Sequence, residues 1–298
     1  MSSAAVRVDA NTLPLVLAGP ILRAVTPDSI TLWLATSEPV QLQLTLMPHG
    51  NTQREYDSEQ MRQHCRSFRC AGKLFLQLIH IPVSDPLPVG CRIDYDLKLA
   101  AADDKNNWQD WQQWAPELCF ADQPEPFFVL QPDVRQLLHG SCRKPHHPAA
   151  DGLLQVEQLL AETTPEQWPA LLMLSGDQIY ADDVATPMLV AIHHLLPQLG
   201  LPDETLPCSE VASAGELHQL QPYYLKREAL LPDNKLSRDM VTKVFGGVRK
   251  PVFTSDSAHN HLISLGEVLA MYLLVWSPQP WQQVLASGAW PAAPELDA

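Results

Sequence analysis

Between Pro20 and Leu99 apolar and polar residues alternate with a period of two, and beyond Phe127 that alternation gives way to longer apolar runs. A period of two puts every second side chain on one face of an extended chain, so each such run reads as a half-buried strand. SITLWLA (29–35), VQLQLTLM (40–47), LFLQLIHI (74–81) and RIDYDLKL (92–99) all fit this pattern. The segments between them, TSEP, PHGN and SDPLPVG, have turn chemistry. Short alternating strands at this spacing predict a β-sandwich. Trp108, Trp111 and Trp114 follow in NNWQDWQQW and are expected to cap a sandwich edge or a domain seam.

From Phe127 the order is strand, helix, strand: VRQLLHGSC, DGLLQVEQLLAET, PALLMLSGD. This is the pattern of an α/β layer with a largely buried sheet. Leu153, Leu154, Val156, Leu159 and Leu160 give the helix an apolar stripe, and Pro165 and Pro169 close it. A proline-rich stretch over 197–222 is expected to run over the surface, and His259–Trp276 to form an apolar helix. The boundaries drawn are 1–126 for a sandwich of fibronectin or immunoglobulin type and 127–298 for the α/β part.

Composition narrows the functions. With 34 acidic against 20 basic residues the formal charge is −14, and no Lys/Arg block offers a phosphate backbone a docking face. Nucleic-acid binding by a basic face is therefore not expected. Six cysteines, at 65, 70, 91, 119, 142 and 208, include no CxxC pair, so neither a zinc ribbon nor a disulfide framework is indicated. The apolar run VLAMYLLVW (268–276) is about half of the ~20 residues a membrane span needs. The N-terminus lacks a basic n-region, so no signal peptide is read and a cytoplasmic location is expected.

In open α/β sheets, ligands sit beyond the carboxyl ends of the strands. Two such ends carry chemistry here: LLHGSCRKPHH (137–147) and LLMLSGDQIYADD (171–183). Gly176 allows a sharp turn, Asp177 stands just past the strand as a fixed anionic ligand, and Tyr180 follows within reach of the same ion. A strongly charged cation can deprotonate a phenol as it does a bound water. An aspartate can bridge the paired ions of a two-metal phosphoryl-transfer site. Cys142, at the other strand end, would add a thiolate.

GPILRAVTPDSITLWLAT (19–36), LHGSCRKP (138–145) and LSGDQIYADD (174–183) together resemble the PhoD-like alkaline phosphatase family. The GDxxY element is also similar to that of purple acid phosphatases. The resemblance implies an N-terminal β-sandwich followed by a calcineurin-like, four-layer metallophosphoesterase domain. It implies hydrolysis of phosphate esters at an iron–calcium cluster, with Fe3+ and Ca2+ or another divalent ion as cofactors. It places metal ligands at Cys142, Asp177 and Tyr180, with Asp177 bridging and catalytic. Arg143 and His146 are weaker candidates for the substrate phosphate.

Family members continue into an Asp-Asp-His element, and no such element occurs in these 298 residues. The expectation is therefore an incomplete domain: the first half of a family member, truncated or completed by a second chain. The competing expectation is a non-catalytic binding or assembly protein derived from such a phosphatase. A cysteine-nucleophile hydrolase ranks below both, since no histidine forms a recognisable pair with a cysteine. His193-His194 and His259/His261 lack a ligand spacing such as HExxH and are expected to be structural.

Overall fold

A computed structural model describes residues 12–104, 106–120, 123–144, 146–207, 211–219, 227–230 and 260–288. The chain forms two compact units, Leu13–Gln178 and a second running from Ile179 onward that also takes in Thr12. Cys208 and His259 lie outside the described residues.

The first unit opens with two four-stranded antiparallel sheets. One has the order β1 (Val16–Thr26), β2 (Ser29–Thr36), β6 (Leu74–Pro82), β5 (Cys65–Ala71). The other runs β4 (Arg54–Tyr56), β3 (Val40–Pro48), β7 (Arg92–Ala101), β8 (Phe127–Val129). The period-two pattern decides which side chains go inside. Ile30, Leu32 and Leu34 of β2 and Ile79 and Ile81 of β6 meet Leu42, Leu44 and Leu46 of β3 and Ile93, Leu97 and Leu99 of β7 in one core. Each such side chain contributes about 1.5–3 kcal/mol by leaving water. The short helix α1 (Ser58–His64), capped by Asp57, adds Met61 to this core. Trp111 and Trp114 of α2 (Trp111–Trp114) are buried as part of this core. Because β8 pairs antiparallel with β7, Phe127–Val129 belong to the second sheet.

The same unit continues through β9 (Leu137–Gly140), α3 (Gly152–Glu162) and β10 (Leu171–Leu174). β10 pairs parallel with β9, Leu171 opposite Leu137 through Leu174 opposite Gly140, and α3 is the crossover. The Asp151 side chain accepts from the Leu153 amide and caps α3. Trp168 stacks on Phe127 at 5.0 Å and ties this βαβ unit to the second sheet. The expected apolar stripe forms, yet α3 contains no buried residue, and Leu154 is 59% exposed. Leu171, Leu172 and Met173 of β10 are 43%, 45% and 46% exposed. Parallel strands are ordinarily covered on both faces, and these are not.

The second unit is helical among its described residues: α4 (Thr186–Leu199), α5 (Ala214–Gln219), a 3-10 turn at Arg227–Leu230, α6 (Leu265–Trp276) and α7 (Gln279–Ala286). Pro187 fits the first turn of α4, where no amide partner is needed, and Gly200 stops the helix in the left-handed region at φ +64°. The proline-rich stretch is more than a surface excursion, because Val211 and Leu217 are buried with Leu230 in a small core. The apolar helix starts later than its hydrophobicity suggests. Ser264 and Glu267 close a capping box and set its first residue at Leu265. No helix among the described residues is long and apolar enough to cross a membrane.

Candidate functional site

The parallel pairing of β9 and β10 carries their carboxyl ends to one place. The Ser175 amide donates to the Gly140 carbonyl at 3.1 Å, and the Arg143 amide donates to the Asp177 carbonyl at 2.9 Å. Between these bonds the two turns touch. A β-carbon added at Gly176 would lie 2.5 Å from the Cys142 nitrogen and 2.7 Å from its Sγ, and would collide with Ser141 Oγ. Gly176 is thus required by close approach, and the Cys142 thiol lies directly over the residue that precedes Asp177.

Cys142 has φ +57°, the one non-glycine residue in the left-handed region among those described. That conformation costs on the order of 1–3 kcal/mol in a residue with a β-carbon and is typical of functional turns. Its consequence is directional: the sharp reversal presents the sulfur at the strand end instead of continuing the sheet. Cys142 is exposed, and Ser141 Oγ lies 3.2 Å from Sγ. Asp177 is also exposed, and its backbone carbonyl is held by the Arg143 amide next to Cys142. His139 Nε2 of β9 and Ser175 Oγ, one residue past β10, lie 2.6 Å apart.

Arg143 Nε and Nη2 both donate to Asp151 Oδ2, at 3.0 and 2.7 Å. The Arg143 hydrogen bond holds the Asp151 carboxyl below its usual range against the opposing effect of burial, with further help from the Leu153 amide. Arg143 therefore anchors the Cys142 turn to the start of α3, a role its sequence context does not suggest. His146 is exposed on the turn that follows. The structure thus brings Cys142, Arg143 and Asp177 together at one strand-end cluster. Tyr180 is half-buried and belongs to the second unit, which begins at Ile179. Asp182 and Asp183 are loop residues ahead of α4.

A second polar cluster, not anticipated from the sequence, lies within the helical unit. Glu267 is fully buried. Its Oε2 accepts from the Ile263 and Ser264 amides at 2.8 and 3.1 Å. Oε1 accepts from Arg227 Nη2 at 2.7 Å and lies 2.6 Å from His193 Nε2 and 3.8 Å from His218 Nε2. Burial works to raise the Glu267 carboxyl, but the His193 hydrogen bond and the Arg227 charge outweigh it and hold it down at about 2. Burial, with the neighbouring His193, pushes the His218 imidazole below its ordinary value. The only local signal is the S-L-G-E capping box ahead of an apolar run, which marks Glu267 as a fixed carboxylate. The histidines reach it across 74 and 49 residues, a separation no spacing rule detects.

No protein-family model and no curated protein matches the chain. Among solved structures, a cycloalternan-degrading enzyme from Trueperella pyogenes, in complex with a covalent intermediate, aligns with a TM-score of 0.21 and 11% identity. The alignment covers 44% of this chain and 20% of that one, so this chain spans a small part of the enzyme's length.

Proposed function

We propose that this chain is a metal-dependent phosphoric ester hydrolase of the PhoD-like type, with Cys142, Asp177 and Tyr180 as metal ligands. The observation that carries the reading is the contact of the Cys142 turn with the Gly176–Asp177 turn at the ends of adjacent parallel strands. A left-handed cysteine and an obligatory glycine are what this contact needs, and both are present. The donor set suits the group implied. A thiolate and a phenolate satisfy Fe3+, while a carboxylate can also serve Ca2+ or another hard divalent ion. Bound ions at such a site would supply Lewis-acid polarisation of the phosphoryl group. The chain's own residues do the positioning: Asp177 would offer its carboxylate at the turn, Arg143 fixes the Cys142 loop through Asp151, and the exposed His146 would meet an incoming phosphate.

The finer fold reading, an incomplete calcineurin-like domain, is supported by the bare faces of β9, β10 and α3. Two parallel strands do not form a self-sufficient sheet, so further strands and a helical layer are expected to cover them. A second chain completing the domain is the partner this reading calls for, with a phosphate ester as substrate. The same bare apolar surface favours one alternative, a non-catalytic assembly role for a phosphatase-derived chain. Hydrolysis of nitrophenyl phosphate and bis-nitrophenyl phosphate in the presence of iron and calcium separates the two. Metal-dependent turnover lost in Asp177→Asn supports the hydrolase; turnover unchanged in Asp177→Asn overturns this site, and absent turnover leaves the assembly role.

A further inference from the structure

We propose that His193 Nε2, His218 Nε2 and Glu267 Oε1 form a binding site for one divalent transition-metal ion, zinc by donor type, linking α4, α5 and α6. The site lies within the helical unit and does not depend on the phosphoesterase reading. Its three ligand atoms fall within 4.8 Å of one another. Tetrahedral zinc with bonds of about 2.0–2.1 Å needs ligand atoms roughly 3.3 Å apart. The pair at 2.6 Å must open and the pair at 3.8 Å must close, each by well under 1 Å. Rotation of the half-buried His218 side chain on the short helix α5 can supply most of that change.

Three features favour an ion over a purely structural hydrogen-bond network. His218 Nε2 is inaccessible to solvent yet makes no hydrogen bond among the described residues, although it lies 3.8 Å from a carboxylate oxygen. Its ring lies beside that of His193, centroids 5.0 Å apart, an arrangement that leaves two imidazole nitrogens facing one carboxylate. The capping box fixes the third ligand, since Oε2 is committed to the two helix-start amides and Oε1 is left for the histidines. This is the two-histidine, one-glutamate set that zinc accepts while keeping a fourth position open. With no sulfur in the set and two imidazoles, Cu(I), Ca2+ and Mg2+ are poorer fits.

Arg227 shares Oε1, and its Nη1 is buried with no hydrogen-bond partner among the described residues. Guanidinium and ion therefore compete for one carboxylate, which makes the site exchangeable and not a permanently filled staple. For Nε2 of His193 to face the ion with its lone pair, the proton between it and Glu267 Oε1 must move off that nitrogen, to the other ring nitrogen or to solvent.

The test uses the full chain, stripped by chelator and titrated with zinc alone. A Cys142→Ser/Asp177→Asn double variant, which disables the strand-end site, is expected to bind one equivalent of zinc and to melt at higher temperature with it. Introducing His218→Ala into that background is expected to weaken zinc by more than about 100-fold, beyond the loss typical of an outer-shell contact. Should His218→Ala not fold, cobalt replaces zinc in the double variant. Visible d–d bands without a thiolate charge-transfer band then support the site. Zinc affinity unchanged by His218→Ala, or no zinc and no cobalt bound by the double variant, overturns it.

Discussion

Gly176→Ala probes the contact on which the strand-end site depends. The new β-carbon arrives 2.5 Å from the Cys142 nitrogen, where ordinary contact begins at 3.4 Å, so that backbone must retreat by about 0.9 Å. Ser141 Oγ can rotate away, but the Cys142 nitrogen is fixed by the left-handed turn and by the neighbouring Arg143–Asp177 bond. Overpacking of this kind costs about 1–3 kcal/mol. Against it, alanine stiffens the unfolded chain by about 0.4–1 kcal/mol. A net loss of about 1–2 kcal/mol is expected, read as a lower urea midpoint at unchanged m-value. Gly152→Ala is the control, because nothing lies within 4 Å of its added carbon and its residue opens α3. That variant is expected to be as stable as the parent or slightly more so. Equal midpoints for the two variants would show that the β9 and β10 turns do not touch, and the account of the site would fail with them.

Other outcomes follow from the burial pattern and the buried ion pair. Leu34→Ala, at a fully buried core position, is expected to cost about 2–5 kcal/mol in denaturant melts, whereas Leu171→Ala on bare β10 should cost under about 1 kcal/mol. Glu267→Gln strands the Arg227 charge in the interior, and a loss of about 3–5 kcal/mol is expected in metal-free buffer. Because the Glu267 carboxyl sits at about 2 when folded, against 4.5 ordinarily, its stabilisation is present above pH 4.5 and fades as the pH falls toward 2. His218, whose folded value is depressed, adds stability above 6.5 that declines as the pH drops below it. Acid melts followed by circular dichroism, with chelator present, check both, and the Glu267 component should vanish in Glu267→Gln.

The sandwich is legible in the sequence because its signal is local. Alternation places β2, β3, β6 and β7 within one or two residues, since a strand with one buried face must write that face into every second position. The order of β9, α3 and β10 is legible for a similar reason, and the GDxxY and Ser-Cys elements mark both strand ends. What sequence does not show is cover. The stripe on α3 reads as a buried face, yet its leucines are not buried, because burial depends on partners and not on periodicity. Arg143 looks like a phosphate ligand by proximity to Cys142, while its partner Asp151 lies eight residues on and caps a helix. Hydrophobicity alone starts α6 too early, because the capping box and not the apolar run sets its first residue. The Glu267 cluster is assembled from four segments distant in sequence, and only folding reveals it.

The central proposal is that Cys142, Asp177 and Tyr180 serve one metal centre. The visible absorption spectrum of the iron-loaded full chain tests this most directly, read beside its iron content. A tyrosinate-to-iron band that disappears in Tyr180→Phe while iron is retained is the expected result. Iron-loaded protein without such a band, or a band that persists in Tyr180→Phe, would contradict it.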